Sequence, residues 1–235
     1  VGETDLQIGI GLARARSSSG PLDDRQAAPD LLRDRVTTAI LRARGEIESY
    51  IPTHPEFLTS LVPVVPLPWA PPIVRWMCAS AARAGVGPMA AVAGAIGEMV
   101  GKDLMSASAS SSVNGVRVDD VIVENGGDIF IASSRVRRVG IYAGESPLSG
   151  KVALEIAPSQ MPCGVCTSSG TVGHSRCFGR CDAAVVVAKD TALADALATR
   201  VANEVRSRED IEKALPQDVT PEGEALPALG EVSDM

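Results

Sequence analysis

The strongest constraint on the fold is a series of β-strand patterns that follow one another with no helical pattern between them. Residues 118–132 hold two β-rich segments on either side of an Asn-Gly-Gly sequence at 125–127, which is typical of a tight hairpin turn. Two more strand patterns follow at 137–142 and 151–156, and a continuously apolar one at 183–188. Strands that arrive in succession favour antiparallel pairing. We therefore predict an α+β fold in which mainly antiparallel sheets pack with helices.

Other segments of the chain carry helical or single-strand patterns. Alternating apolar residues predict a strand at 3–12, and apolar residues at helical spacing predict helices at 30–50 and 73–84. Residues 88–101 predict a helix rich in alanine and glycine, and 190–207 an alanine-rich helix with its first residue as N-cap. Glycine inside a helix costs about 1 kcal/mol relative to alanine. We therefore expect a sheet, another backbone or a ligand to approach the 88–101 helix closely.

Charge and composition define the domain organisation and exclude some partners. The chain has 235 residues, of which 45% are hydrophobic, so it is long and apolar enough to bury a core. Residues 216–235 hold five carboxylates and no Lys or Arg, which indicates one domain over 1–215 and an acidic, disordered tail over 216–235. Only 3% of the residues are aromatic and the net charge is −7, so nucleic acid is not an expected partner.

Apolar stretches and cysteine usage bear on the location of the protein. The most apolar window, 86–100, covers 15 residues, whereas a membrane-spanning helix needs about 20. Five cysteines are too few for a disulfide scaffold, and an odd number favours a reducing compartment. We expect a cytoplasmic protein without membrane contact.

The turn after the second predicted strand is the first candidate binding segment. Its two glycines allow the backbone to turn tightly and to present N–H groups to an anion, and its carboxylates suit ribose hydroxyls or a metal. An ordinary hairpin turn is the alternative interpretation. The residues concerned are Glu124, Asn125, Gly126, Gly127 and Asp128.

A second candidate is the segment 166–175, where small hydroxyl residues surround glycines. Such a loop can enclose a phosphate through backbone N–H and side-chain O–H donors. A flexible surface loop is the alternative. The candidate binding residues are Thr167, Ser168, Ser169, Gly170 and Thr171.

Asp195 and Thr199 form the third candidate. They stand four residues apart on the predicted last helix, so they share one helix face. A carboxylate with neutral oxygens suits Mg²⁺, which keeps much of its water. The alternative is that Thr199 bonds to the carbonyl of Asp195 while the Asp195 side chain faces solvent.

The cysteines suggest a fourth possibility. Cys163, Cys166, Cys177 and Cys181, with His174 between them, have spacings compatible with zinc or an iron–sulfur cluster. They could equally be small buried residues. A further option is a Cys166 thiolate nucleophile with His174 as its base.

The order of these segments resembles the ApbE-like flavin transferase superfamily, and within it a short branch. The resemblance covers residues 88–206 and lies in the motifs at 124–130, 150–156, 164–175 and 192–199. It implies a fold related to the T-fold, a site for FAD or FMN, and Mg²⁺ on Asp195 and Thr199. It also implies metal-assisted cleavage of the FAD pyrophosphate with transfer of FMN to a protein threonine, and a possible homo-oligomer.

One segment departs from that family. Residues 175–182 stand where the flavin transferases carry a His-His-Ile-Ile-Asp-Pro sequence, so His174 is the remaining candidate acid or base. Our first hypothesis is an ApbE-like protein that binds a flavin or related phosphate-bearing nucleotide with a divalent metal. The alternatives are a non-catalytic structural or interaction module of the same fold, and a cysteine-based metal or redox protein.

Overall fold

Seven strands are present among the residues that the structure describes. A computed structural model describes residues 6–14, 24–110, 116–173 and 177–214. The strands are β1 (Leu6–Arg14), β2 (Val116–Asn125), β3 (Asp128–Ser133), β4 (Arg137–Gly140), β5 (Ala153–Ile156), β6 (Cys163–Ser168) and β7 (Ala184–Ala188).

Six α-helices and three short 3-10 turns complete the described secondary structure. Asp190 is the N-cap of the last long helix, as predicted, and its Oδ1 accepts a hydrogen bond of 2.9 Å from the Leu193 N–H. The helices are α1 (Asp24–Tyr50), α2 (Glu56–Thr59), α3 (Pro72–Ala84), α4 (Val92–Ser110), α5 (Thr191–Glu204) and α6 (Arg208–Ala214), and the 3-10 turns are Ile51–Thr53, Pro88–Ala91 and Pro158–Gln160.

The strands form one five-stranded sheet and one two-stranded sheet. The larger sheet has the order β1-β2-β3-β6-β7, and β4 pairs with β5 in the smaller one. Every pair in both sheets is antiparallel. The predicted α+β class with antiparallel sheets is confirmed, as is the hairpin of β2 and β3. The relation to the T-fold stays a prediction.

The start of the segment predicted as a phosphate loop is instead a strand. Cys163–Ser168 forms β6, which pairs with β3 on one side and β7 on the other. Small residues suit this position because α5 packs directly on it: a Cβ added to Gly164 would lie 2.6 Å from the Thr191 Cα. Cys166 therefore pairs with strands on both sides, whereas Ser168 pairs only with Ala184 of β7, and the loop begins after Ser168.

The five-stranded sheet is the middle layer of three. On one face, Val121, Val123 and Phe130 pack against apolar residues of α1, α3 and α4. On the other face, Ile131 and neighbouring residues pack against Ile156 of the small sheet. This alternation follows from the two-residue period of a strand, which sends successive side chains to opposite faces.

The glycine-rich helix α4 lies in close contact with its neighbours. A Cβ on Gly94 would lie 2.4 Å from the carbonyl oxygen of Thr191 in α5. A Cβ on Gly101 would lie 2.2 Å from the Phe130 ring on β3. The expected close approach to this helix is therefore made by both a helix and a sheet.

The apolar helices are α3 and α4. Among the described residues, no single helix is both long and apolar enough to cross a membrane. The segments Pro72–Ala84 and Pro88–Ser106 are long and apolar enough only when taken together, and they are bent by 102° relative to each other.

Candidate functional site

Asp195 lies inside the protein, where α5 meets the first turn of α4. Its Oδ2 accepts a hydrogen bond of 2.9 Å from the Gly94 N–H, and its carboxyl group also interacts with the Ala93 N–H. Its side chain is only 8% exposed. The interpretation in which Asp195 faces solvent is therefore wrong.

Glu98 is a buried polar residue that sequence reasoning missed. It lies in the middle of α4 with 2% of its surface exposed, and its Oε2 accepts a hydrogen bond of 2.5 Å from the Thr191 N–H. Its Oε1 is 2.6 Å from the Lys102 Nζ. The available signal was a single carboxylate within an apolar, small-residue helix, because such a group needs a partner when it is buried.

Asp128 is the first residue of β3 and lies opposite Cys166 of β6. Its carboxyl group interacts with the Cys166 thiol and the Thr167 backbone N–H. Its Oδ1 is buried and has no hydrogen-bond partner among the described residues. Such an orphaned acceptor marks a place where a ligand would supply the missing interaction.

The two aspartates and Cys166 influence one another electrostatically. Burial raises the pKa of Asp128 to about 7, although the contacts with Cys166 and Thr167 lower it. Burial, followed by the charge of Asp128, raises the pKa of Asp195 well above its usual range. Burial and the charges of both aspartates raise the pKa of Cys166. Cys166 is therefore held as a neutral thiol, which argues against its role as a thiolate nucleophile.

A cavity of about 460 Å³ brings together Asp128, Asp195 and Thr199. Its remaining wall is mostly apolar, and no Lys, Arg or His of the described chain belongs to it. The ring of Phe178, which is 60% exposed, stands among the lining residues. The other lining residues are Leu58, Thr59, Ser60, Leu61, Val86, Gly87, Met89, Ala90, Val92, Ala93 and Asn203.

A second cavity of about 330 Å³ adjoins the first. It shares several lining residues with the first cavity but adds the basic residues Arg200 and Arg206. Glu204 also lines the second cavity and is paired with Arg200 at 2.6 Å, so that end holds two guanidinium groups and one carboxylate. The shared residues are Leu61, Val86, Phe178 and Asn203.

The remaining residues of the predicted turn lie outside the cavity wall. Gly126 and Gly127 form the hairpin turn with φ angles of 64° and 100°, which glycine adopts easily. Asn125 donates from Nδ2 to the Ala93 carbonyl at 3.2 Å and so connects the hairpin to α4. A binding role for Glu124, Asn125 and the glycines stays a prediction.

The predicted phosphate-binding residues are engaged with the chain itself. The Thr171 Oγ1 donates to the Asp182 Oδ1 at 2.7 Å, and the Ser169 Oγ lies 3.4 Å from the Cys181 carbonyl. Gly170 packs so closely on Gly179 that an added Cβ would lie 2.1 Å from its carbonyl oxygen. Thr167, Ser168, Ser169, Gly170 and Thr171 all lie outside the wall of the larger cavity, so their binding role also stays a prediction.

The cysteines do not converge on one point. Cys163 packs with Ile131 and Ile156 on one side of the sheet, whereas Cys166 packs with Ala194 and Ala198 on the other. Cys181 forms a separate cluster with Ala202, against which Cys177 packs. Among the described residues, no group of three or more His, Cys, Asp or Glu side chains is arranged to hold a metal. His174 lies outside the described residues.

The donor set of the larger cavity fits a hard divalent cation. Two carboxyl groups and a hydroxyl offer the oxygen ligands that Mg²⁺ prefers, with water completing its shell. The Oδ1 of Asp128 provides an acceptor that has no hydrogen-bond partner within the described part of the chain. Asp195 and Thr199, predicted as metal ligands, therefore meet in a site of suitable chemistry.

Comparison with known proteins finds relatives along most of the chain. A family model described as AbpE bacteria matches residues 1–228. The UPF0280 protein of Methanocella arvoryzae is 48% identical over 166 residues, which are 71% of this chain and 64% of that protein. The UPF0280 protein of Methanothermobacter thermautotrophicus is 45% identical over 172 residues, or 73% of this chain and 63% of that one. The chain thus spans less than two thirds of the length of these two relatives.

Two solved structures are similar to this chain, with lower sequence identity than the UPF0280 relatives. The apo form of the Pseudomonas stutzeri flavinyl transferase ApbE has a TM-score of 0.43 and 14% identity, covering 89% of this chain and 87% of that one. The flavin transferase ApbE from Vibrio cholerae has a TM-score of 0.39 and 12% identity, and the match covers 89% of this chain and 90% of that one.

Proposed function

This chain belongs to the AbpE family, and from that premise we propose that it binds a flavin or a related phosphate-bearing nucleotide together with a divalent metal ion. The observation that carries the proposal is the cavity in which Asp195, Thr199 and Asp128 meet. Asp195 and Thr199 would hold the metal. The ligand would occupy the remaining volume and extend toward Arg200.

The charges around the cavity favour a metal between protein and ligand. Two carboxyl groups line the larger cavity without a basic residue among its described lining. A phosphate placed directly against them would be repelled, since like charges in a buried site interact strongly. A divalent cation reverses this, because it binds the carboxylate of Asp195 and presents positive charge to phosphate oxygens.

The rest of the groove offers contacts for the organic part of such a ligand. Leu58, Leu61, Met89 and the ring of Phe178 line the cavity and provide an apolar surface for a planar ring. Arg200 and Arg206 in the adjoining cavity provide cationic groups for further anionic oxygens. A dinucleotide such as FAD combines these features in one molecule, and FMN combines a ring with one phosphate.

Flavin transfer is the activity that the resemblance of the sequence motifs to the ApbE-like flavin transferases suggests. When bound, Mg²⁺ would neutralise charge on the departing phosphate during cleavage of the FAD pyrophosphate. The chain itself would position the cation through Asp195, whose carboxylate is held by the Gly94 N–H. A cytoplasmic location and a homo-oligomeric state remain our predictions for this protein.

A thermal-shift panel tests the proposal. We expect FAD, FMN or both to raise the melting temperature in Mg²⁺ but not in EDTA, because a ligand that binds only the folded state stabilises it. Asp195→Asn should lose this shift. Asp182→Asn should keep it, because Asp182 is a buried carboxylate outside the cavity wall.

Two outcomes would contradict the proposal. If no flavin or nucleotide shifts melting at millimolar concentration in Mg²⁺, the chain is better explained as a non-catalytic module of the same fold. If ligands shift melting equally in EDTA and in Asp195→Asn, the metal has no part in binding. Formation of FMN-threonine on an acceptor peptide, measured by mass spectrometry, tests transfer separately from binding.

A further inference from the structure

We propose that Asp128 supplies a second carboxylate ligand to the cation held by Asp195 and Thr199, so that the cation joins the β2–β3 hairpin to α5. This inference rests on the proposed function, because it assumes a divalent cation in the larger cavity. It adds a ligand from a different part of the chain. It also gives the aspartate of the Gly-Gly-Asp turn a role other than contact with the nucleotide.

The first support is the unmet hydrogen-bonding capacity of Asp128. The residue is 9% exposed, it lines the same cavity as Asp195, and its buried Oδ1 has no partner among the described residues. Leaving a buried acceptor unsatisfied destabilises the folded protein, and more so for a charged group. A cation in the cavity removes this cost by taking the free oxygen as a ligand.

The second support is the rigidity of the Asp128 backbone. Asp128 pairs with Asn125 across the hairpin and with Cys166 on β6, so strands flank it on both sides. Its side chain is further held by the Cys166 thiol and the Thr167 N–H. A cation site works best when its ligands are fixed before binding. Asp195 is fixed in the same way by the first turn of α4.

The third support is the balance of charge. Asp128 and Asp195 share one buried space, and the described lining contributes no positive side chain to offset them. A divalent cation that binds both carboxylates compensates the two buried negative charges together, whereas a cation bound by Asp195 alone leaves the Asp128 carboxylate without a cationic partner among the described lining. Carboxylate and hydroxyl oxygens favour Mg²⁺ or Mn²⁺ over softer ions.

Mn²⁺ binding by the full chain stripped with EDTA is the direct test, measured by calorimetry and by loss of the free Mn²⁺ electron paramagnetic resonance signal. The variants are Asp128→Asn, Asp195→Asn and the control Asp182→Asn. Asp182 matches Asp128 closely, since it is 6% exposed and its Oδ2 also lacks a partner among the described residues, yet it lies outside the cavity wall. We expect Asp128→Asn to weaken Mn²⁺ binding about tenfold or more. Asp182→Asn should leave it unchanged.

The outcomes separate this inference from the proposed function. If Asp195→Asn loses Mn²⁺ and Asp128→Asn binds it like the natural chain, the second ligand is overturned and the proposed function stands. If the natural chain binds no Mn²⁺, both the cation site and this inference fail. Circular dichroism establishes that each variant is folded. Should Asp128→Asn not fold, Asp128→Ala carries the same expectation, because it fits the same space with no polar atom.

Discussion

Glu98 Oε2 accepts a hydrogen bond of 2.5 Å from the backbone N–H of Thr191, which joins the middle of α4 to the first residue of α5. The reverse contact lies nearby, where Asp195 of α5 accepts from the Gly94 N–H in the first turn of α4. Each helix therefore receives a carboxylate from the other at its N-terminal end. Because Asp195 also lines the cavity, the packing of these two helices determines the position of the candidate cation ligand.

The hydrogen bond from the Thr191 N–H to Glu98 predicts an effect on the stability of the fold. Glu98→Ala leaves the fully buried N–H of Thr191 without its acceptor, so we expect the free energy of unfolding to fall by about 2–3 kcal/mol in urea denaturation. Glu98→Gln keeps an oxygen acceptor and should lose less. Glu155→Ala removes an exposed partner of Arg138 and should change stability by less than about 0.5 kcal/mol. Equal losses in Glu98→Ala and Glu155→Ala would contradict the capping role.

The close contact at Gly94 predicts a steric effect. A Cβ there would lie 2.4 Å from the Thr191 carbonyl oxygen, so Gly94→Ala should force α4 and α5 apart and cost about 2–3 kcal/mol of unfolding free energy. The same change at Gly45 in α1 meets nothing within 4 Å and should stabilise the protein by about 0.5–1 kcal/mol. A neutral Gly94→Ala in urea denaturation would show that the helices do not touch in this way.

Asp128 predicts how stability depends on pH in the metal-free protein. Burial raises its folded-state pKa to about 7, from an ordinary value of 3.8, so the folded state holds a proton that the unfolded state has released. The contribution of the Asp128 carboxyl to the free energy of unfolding is therefore fully present below about pH 4, and it is lost as the pH rises to about 7. Burial of Asp195 acts in the same direction.

Urea denaturation in EDTA at about pH 5 and about pH 8 measures this dependence. Asp128→Asn should reduce the loss of stability between the two pH values, because its amide does not titrate. Asp182→Asn should show the same loss as the natural chain. An unchanged loss in Asp128→Asn would show that Asp128 is already ionised at the lower pH.

Phe178 predicts a selective effect on ring binding. Its ring is 60% exposed and lines both cavities, so Phe178→Ala should weaken FMN binding about five- to tenfold by removing an aromatic contact. Mn²⁺ binding should stay the same, because the ring offers no ligand. Tyr142→Ala removes an aromatic side chain that is 70% exposed and lies outside both cavity walls, and it should leave FMN binding unchanged. Fluorescence titration measures the FMN affinity of the natural chain and of both variants. Equal affinity in the three proteins would exclude a contact between Phe178 and the flavin ring.

Local patterns in the sequence predicted much of the fold. The two-residue period of the strands and the Asn-Gly-Gly turn located the β2–β3 hairpin, and Asp190 was recognised as an N-cap from its position before an alanine-rich helix. The spacing of Asp195 and Thr199 placed both on one helix face, and both line the same cavity. These features depend on residues a few positions apart, so periodicity and turn chemistry are sufficient to find them.

The remaining features of the fold and of the candidate site depend on contacts between distant parts of the chain. Residues 166–168 were predicted to begin a loop of small hydroxyl residues, yet pairing with β3 and β7 makes them the end of strand β6. The buried cap of Glu98 on Thr191 joins residues 93 positions apart, and the contact of Gly94 with Asp195 joins residues 101 positions apart. Burial then raises the pKa of Asp128, because removal of water disfavours its charged form. Local sequence patterns predicted most of the elements and one pair of candidate ligands. The packing of α5 against α4 and β6 decided that Asp128 and Asp195 face the same cavity.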